Sequence, residues 1–142
     1  PMLKVDRFGP VFKQIHDALE KNANNLLRAD DLTMAQVHLL FLLEESPDGC
    51  YSLKELERRL RVAQSTMVGV VKRSAQKGFV ECYGDPHDKR VKHVRITPEG
   101  RRICAAAQKH MGESEERFLK GISPAERALF LELLYKVLRS LS

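Results

Sequence analysis

Ser65, Thr66, Gly69, Lys72, Arg73 and Gln76 fall on one side of a helix when the stretch Gln64 to Lys77 is wound at about 100° per residue. Met67, Val70, Val71, Ser74 and Ala75 share the other side. The first set holds short hydroxyls, one glycine and two cations, and no carboxylate. Such a face suits a polyanion: short donors near the helix N-terminus reach base edges, and cations reach phosphates or a guanine. The bland alternative is a solvated face, which is what most charged helix faces are.

The segments on either side narrow the choice. Upstream, Ser52 with Glu55 three residues later forms a capping box, and Leu53, Leu56 and Leu60 give the helix that follows one inward face. Gly78 stands where a helix stop is expected. Downstream, Phe79 to Tyr83 and Val91 to Ile96 have strand composition, with Val94 and Ile96 alternating with polar neighbours. Between them, Gly84-Asp85-Pro86-His87-Asp88-Lys89-Arg90 is turn chemistry carrying two acids and two bases. Helix, turn, helix and charged hairpin together predict a winged helix, with Cys50-Tyr51 available as a third short strand.

At this point the chain resembles the multiple-antibiotic-resistance regulator (MarR) family. The wing residues Asp85, Asp88, Arg90, Val94, Ile96, Thr97 and Gly100 carry the likeness, with Gln64-Ser65-Thr66 and Lys77-Gly78-Phe79-Val80. It extends over nearly the whole chain, and the wing spacing is its specific part. The resemblance implies a mainly α fold with a small β-hairpin wing, in which a winged helix-turn-helix DNA-binding domain is flanked by terminal dimerisation helices. On that reading residues 1–142 are a single domain, with the DNA-binding lobe at 33–100 and dimerisation helices at 4–30 and 101–142. Gln64, Ser65, Thr66, Val68 and Gly69 are expected near bases or phosphates in the major groove. Lys72 and Arg73 are expected on the backbone or a guanine edge, and Lys89 and Arg90 at the wing tip. Arg90 would reach the neighbouring minor groove, held by Asp88 through a charge-assisted hydrogen bond. One departure is Ser74, which stands in the buried arc where relatives place leucine. Its hydroxyl needs a partner there, such as the carbonyl four residues back.

The remaining elements must position this lobe. Phe8, Phe12, Ile15, Leu19, Ala23 and Leu26 make one apolar stripe on a first helix expected from about Val5 to Leu27. Thr33 and Gln36 form a second capping box, opening a helix whose Val37 and Leu39 to Leu43 are apolar almost all round. Thr97-Pro98 starts a long helix toward Leu119, and Ser123-Pro124-Ala125-Glu126 opens the last one with proline and a capping box together. That last helix carries Phe130, Leu133, Leu134, Val137, Leu138 and Leu141, a wider stripe than one small chain needs at its end. It predicts a two-fold homodimer, with packing inside one chain as the alternative. In MarR-like dimers small aromatic or lipophilic molecules bind where terminal helices meet the reading lobe. The matching lining here would be Phe8, Phe12, Ile15, His16, Val37, Phe41, Met111 and Phe118, a set that also suits an ordinary core.

Charge distribution agrees with a DNA partner. The net charge is +5, and Ser52 to Arg102 alone holds 13 Lys+Arg against 6 Asp+Glu. The basic charge therefore sits on the reading lobe, as expected of a nucleic-acid binder. A winged helix that binds protein and not DNA is the competing class, and such domains usually lack a one-sided cationic face. No nucleophile–base pair, paired carboxylates or phosphate-cradling loop points to an enzyme. No cofactor is expected. The longest apolar run, Leu39 to Leu43, is far too short to span a bilayer. Without a visible signal peptide a cytoplasmic location is expected, and Pro1 before Met2 reads as the scar of a cleaved tag. Cys50, Cys82 and Cys104 are too few and scattered for a disulfide framework. They leave a redox- or metal-responsive regulator as an alternative, including zinc held by Cys82, His87 and His93. The reactive first-helix cysteine of MarR-like peroxide sensors has no counterpart here.

Overall fold

A computed structural model describes residues 7–141. In chain order the elements are α1 (Phe8–Arg28), α2 (Met34–Glu45), β1 (Cys50–Ser52), α3 (Leu53–Leu60), α4 (Gln64–Gln76), β2 (Val80–Gly84), β3 (Lys92–Ile96), α5 (Pro98–Phe118) and α6 (Pro124–Ser140). The fold is a winged helix-turn-helix with terminal helices, mainly α with one small antiparallel sheet. The expected helix start at Val5, the segment from residue 4 and the tag scar at Pro1 lie outside the described residues. The chain divides into two compact units, and the division falls inside α5 between Gln108 and Lys109.

In the first unit α2 is the strut. It packs on α3, α4 and the sheet, with Val37, Leu39, Leu40 and Leu43 fully buried. Each such side chain contributes about 1.5–3 kcal/mol through burial. Leu56, Met67, Val70, Val71, Val94 and Ile96 complete the core. The capping box at Thr33 is formed as the spacing predicts, and so are those at Ser52 and Ser123. Gln36 does more than cap. Its Oε1 accepts from the Thr33 N–H at 3.3 Å and from Nζ of Lys77 at 3.2 Å, so the start of α2 holds the end of α4. Lys77 Nζ also donates to the Asp31 carbonyl.

The sheet order is β1-β3-β2, so Cys50-Tyr51 does form part of a third strand. Tyr83 pairs with His93, Cys82 with Val94 and Val80 with Ile96. Directly paired residues share a face, and successive residues alternate. Val80, Val94 and Ile96 therefore line the core, whereas Tyr83, His93 and Arg95 face outward.

Helix α4 ends in a Schellman motif. Gly78 has φ +79°, its N–H donates to the Ala75 carbonyl at 2.9 Å, and the Phe79 N–H donates to Ser74 at 3.0 Å. The same corner starts α5. The Thr97 hydroxyl donates to the Gly78 carbonyl at 2.6 Å and accepts from the Gly100 N–H at 3.0 Å. A side chain on Gly100 would collide with the Phe79 carbonyl oxygen and lie 2.8 Å from Cγ1 of Ile96. The missing side chain thus lets the first turn of α5 seat on the junction of α4 and the wing.

Ser74 departs from expectation. It is fully buried, yet its hydroxyl has no hydrogen-bond partner, neither the carbonyl four residues back nor any other. The Ser74 carbonyl is engaged by Phe79, but the hydroxyl is left unpaired.

In the second unit Arg127 closes the turn between α5 and α6. Its Nε donates to the Ile122 carbonyl at 3.1 Å, Nη2 to the Leu119 carbonyl at 2.8 Å and Nη1 to Glu116 Oε2 at 2.9 Å. Helix α6 has no buried residue. Phe130, Leu133, Val137, Leu138 and Leu141 are all exposed, and Leu134 is half-buried.

Candidate nucleic-acid interface

Helix α4 has the two-faced character that its sequence predicts. Met67, Val70, Val71 and Ser74 are buried, while Gln64, Ser65, Thr66, Val68, Lys72 and Arg73 are exposed and Gly69 is half-buried. The turn before it works because Arg61 adopts the left-handed conformation at φ +54° and closes α3, with the Val62 N–H donating to the Glu57 carbonyl at 3.2 Å. Ala63, the residue that opens α4, offers no side-chain cap, and the first turn carries no acid. The N–H groups of that turn remain available to an external anion.

The wing tip is organised by two carboxylates. Asp85 Oδ1 accepts from the His87 N–H at 2.7 Å and the Asp88 N–H at 3.2 Å, while Oδ2 lies 2.9 Å from Nε2 of His93. These bonds hold the Asp85 carboxyl below the usual carboxylate range, the contact with His93 contributing most. Asp88 Oδ1 accepts from the backbone N–H of Arg90 at 3.0 Å and from its Nε at 3.2 Å. The Arg90 side chain stands 91% exposed at the tip, and its guanidinium depresses the Asp88 pKa. Lys89 is exposed beside it.

The outer sheet face adds a stacked row. Tyr83 and His93 rings lie 5.4 Å apart, Arg95 sits 4.9 Å above the Tyr83 ring and donates to its hydroxyl at 3.1 Å, and Cys50 Sγ lies 3.0 Å from that same hydroxyl. Tyr83 and Arg95 were not singled out from sequence, while Asp85 was read as part of the wing signature and His93 as a candidate zinc ligand, neither as a partner in this arrangement. The Asp85 turn had a readable signal, because an Asp that bonds the backbone two residues on is a known turn former. The cross-strand row had none, since it depends on register.

The strand register separates two of the three groups considered for zinc. Cys82 lies on the sheet face of Val94 and His93 on the opposite face, so the register does not bring a Cys82–His93 pair to one ion. Burial pushes the Cys104 thiol up to about 11 and raises Cys82 as well. Thiols so shifted are weak nucleophiles near neutral pH.

The expected ligand lining is distributed over both units. Val37 is fully buried and Phe41 half-buried in α2, while Phe8, Phe12, Ile15 and His16 are exposed on α1. Met111 and Phe118 belong to the second unit, where Met111 is half-buried and Phe118 exposed. No helix among the described residues is long and apolar enough to cross a membrane.

Comparison with known proteins matches this geometry. The MarR family model matches residues 32–92, from the start of α2 to the start of β3. The transcriptional regulator HosA of Escherichia coli O111:H- is 30% identical over 110 residues, covering 78% of this chain and 80% of HosA. The apo crystal structure of wild-type MarR from E. coli is 26% identical, with a TM-score of 0.81 over 96% of this chain and 99% of that one. A cysteine-to-serine variant of E. coli MarR, solved in complex with operator DNA, is 27% identical with a TM-score of 0.77 over 92% of each chain. The two-faced helix α4, the acid-held wing arginine and the glycine-seated α5 therefore stand in a chain that belongs to the MarR family of transcriptional regulators.

Proposed function

We propose that this protein is a homodimeric repressor that binds a pseudo-palindromic operator in double-stranded DNA and is released by a small aromatic or lipophilic molecule. The observation that carries the reading is the outward face of α4, which has no carboxylate and presents Lys72 and Arg73 to solvent. Gln64, Ser65, Thr66, Val68 and Gly69 would lie against major-groove bases and adjacent phosphates, and the uncapped first turn of α4 against a phosphate. Arg90, flanked by Lys89 and held by Asp88, would enter the neighbouring minor groove, where narrow A·T-rich segments concentrate negative potential. The E. coli MarR variant solved in complex with operator DNA supports a DNA partner for this chain.

The exposed apolar side of α6 supports the dimer. Phe130, Leu133, Val137, Leu138 and Leu141 are all exposed and recur at helical spacing, an apolar stripe of the kind that marks an interface. Two reading heads related by a two-fold axis would meet half-sites about one helical turn apart. Bound there, the protein would block the transcription machinery. In the first unit, Phe8, Phe12, Ile15, His16, Val37 and Phe41 would contribute to holding the effector. It would act only through different affinities for two spacings of the heads, about 1.4 kcal/mol for a tenfold shift.

Selection of bound duplexes from a random pool, followed by titration at several salt concentrations, tests the reading. A palindromic motif bound with a steep salt dependence is expected. No enrichment of any duplex would favour a winged helix that binds protein alone. Sedimentation should show a dimer at micromolar concentration, and Leu133→Asp should give monomer or aggregate, because an unpaired carboxylate is costly to bury. Phenolic and aromatic carboxylate compounds should release the operator from wild type. Undiminished release in a Phe12→Ala, His16→Ala variant would place the effector elsewhere.

A further inference from the structure

Gly69 lies in the middle of the outward face of α4, with Ser65 one turn before it and Arg73 one turn after. A methyl group on Gly69 would meet the Arg73 guanidinium before anything else, at 3.2 Å from Nη1, 3.5 Å from Nη2 and 3.7 Å from Cζ. Arg73 is therefore folded back along its own helix. Its planar head lies over the place where any other residue type would carry a side chain. Helical side chains lean toward the N-terminus, and position i−4 is the surface they cover, so this is the direction an arginine takes when that position is bare.

Nothing acidic draws Arg73 there. Helix α4 contains no carboxylate, and none of the described ion pairs includes Arg73. The head is exposed, unlike that of Arg90, which an aspartate holds. It also lies one turn closer to Ser65 and Thr66 than its own Cα does, on the forward part of the helix. A rigid guanidinium fork matches the O6 and N7 acceptors of guanine, the commonest specific arginine contact in the major groove.

We infer that Gly69 is a positioning residue that seats the Arg73 guanidinium on the forward half of α4, where it selects a guanine in each half-site. The inference rests on the DNA-binding reading above and names the residue pair that sets one letter of the operator. It explains a mid-helix glycine, which is otherwise a poor choice for helix stability.

The test uses the full chain as wild type, Gly69→Ala, Arg73→Ala and Arg73→Lys. Each is selected against a random duplex pool and titrated on the wild-type site and on that site with the guanine replaced. Thermal melting is recorded alongside. Wild type should prefer guanine at one position per half-site by about tenfold or more, the range of a good bidentate contact. Arg73→Ala and Arg73→Lys should lose that preference, lysine because it lacks the fork. Gly69→Ala should melt at the same temperature or higher, since alanine is the better helix former, and should still lose most of the preference. A merely structural glycine would not give that pairing of higher stability with lower selectivity.

Retained guanine preference in Gly69→Ala would overturn the inference. So would lower melting of that variant, or an equal loss of affinity for every duplex, which would mark Gly69 as a close-approach position only. Retention by Arg73→Ala would show that Arg73 reads nothing. Failure of wild type to enrich any duplex overturns the DNA-binding reading itself and takes this inference with it.

Discussion

The reading lobe carries its outward cations in two different ways. On α4, Lys72 and Arg73 project from a regular helix in which backbone hydrogen bonds and the buried side chains Met67, Val70 and Val71 already set their origin. At the wing tip, Arg90 projects from a loop, and two aspartates do what the helix does elsewhere. Asp85 gathers the N–H groups of His87 and Asp88, and Asp88 in turn grips Arg90. The difference explains why acids are absent from the helix face and present in the wing. A charge on a rigid element needs no tether, whereas a charge on a loop does, and the tether lowers the entropy lost when the loop meets its target.

The two parts share one joint, so the largest expected effect is there. Gly100→Ala puts a methyl group against the Phe79 carbonyl oxygen and the Ile96 side chain. Backbone cannot move aside as a side-chain end can. A loss of about 3 kcal/mol is expected, the upper end of ordinary overpacking costs, read from chemical denaturation. If helix and wing are welded at this corner, amides of α4 and of β3 should lose hydrogen-exchange protection together. Separate loss in one of them would break the picture of a common joint.

Next in size come the cations themselves. Arg90→Ala should weaken operator binding by roughly 1–3 kcal/mol with the fold unchanged, as for one good groove contact. Lys72→Ala should weaken specific and non-specific DNA alike and lower the salt slope by about 1. The tether predicts a sharper result: Asp88→Ala should also weaken operator binding, although it removes a negative charge from the loop proposed to face DNA. Tighter binding by Asp88→Ala would show that Arg90 needs no holding.

What could be read from the sequence here is what depends on near neighbours. Ser52 and Glu55, Thr33 and Gln36, and Ser123 and Glu126 each lie three residues apart, and all three capping boxes form. Gly78 stops α4, and the alternation of Val94 and Ile96 gives the inward face of β3. The contacts that escaped join distant positions. Gly100 meets Phe79 across the whole wing, and Arg95 reaches Tyr83 only because the β2–β3 register sets His93 opposite Tyr83. Spacing does not disclose such contacts, nor did it disclose that Ser74 would go without a partner.

Ser74 supplies a smaller effect that sharpens the view of α4 as the rigid half. A buried hydroxyl without a partner costs about 1–3 kcal/mol relative to one that is hydrogen-bonded. Removing it also replaces serine with the better helix former. Ser74→Ala should therefore raise stability by about 1 kcal/mol, seen as a higher denaturation midpoint at unchanged slope. Operator binding should stay unchanged, because the residue faces away from the outward surface. A fall in stability would mean that the hydroxyl has a use that the folded chain does not display.

The smallest expected effect is confined to the wing and follows from Asp85. Its carboxyl is held below the ordinary carboxylate range, first by His93 and then by the His87 N–H. A group whose pKa is lower in the folded state contributes stability above its unfolded value and loses it as pH falls through the folded value. The bonds to His87 and Asp88 should therefore be intact from neutral pH down to the usual carboxylate range, and should open only below it. Helix α4 carries no carboxylate and no histidine, so its amides have no corresponding titration of their own. Amide chemical shifts and exchange rates followed from pH 7 to pH 3 check this directly. His87 and Asp88 should change together at the acid end while Val70 and Val71 stay constant until global unfolding. In Asp85→Asn the change at the His87 amide should vanish, because the amide oxygen can still accept but no longer titrates, leaving only the titration of Asp88 against Arg90. A wing that opened well above the carboxylate range instead would show that Asp85 is not the group whose ionisation holds the loop.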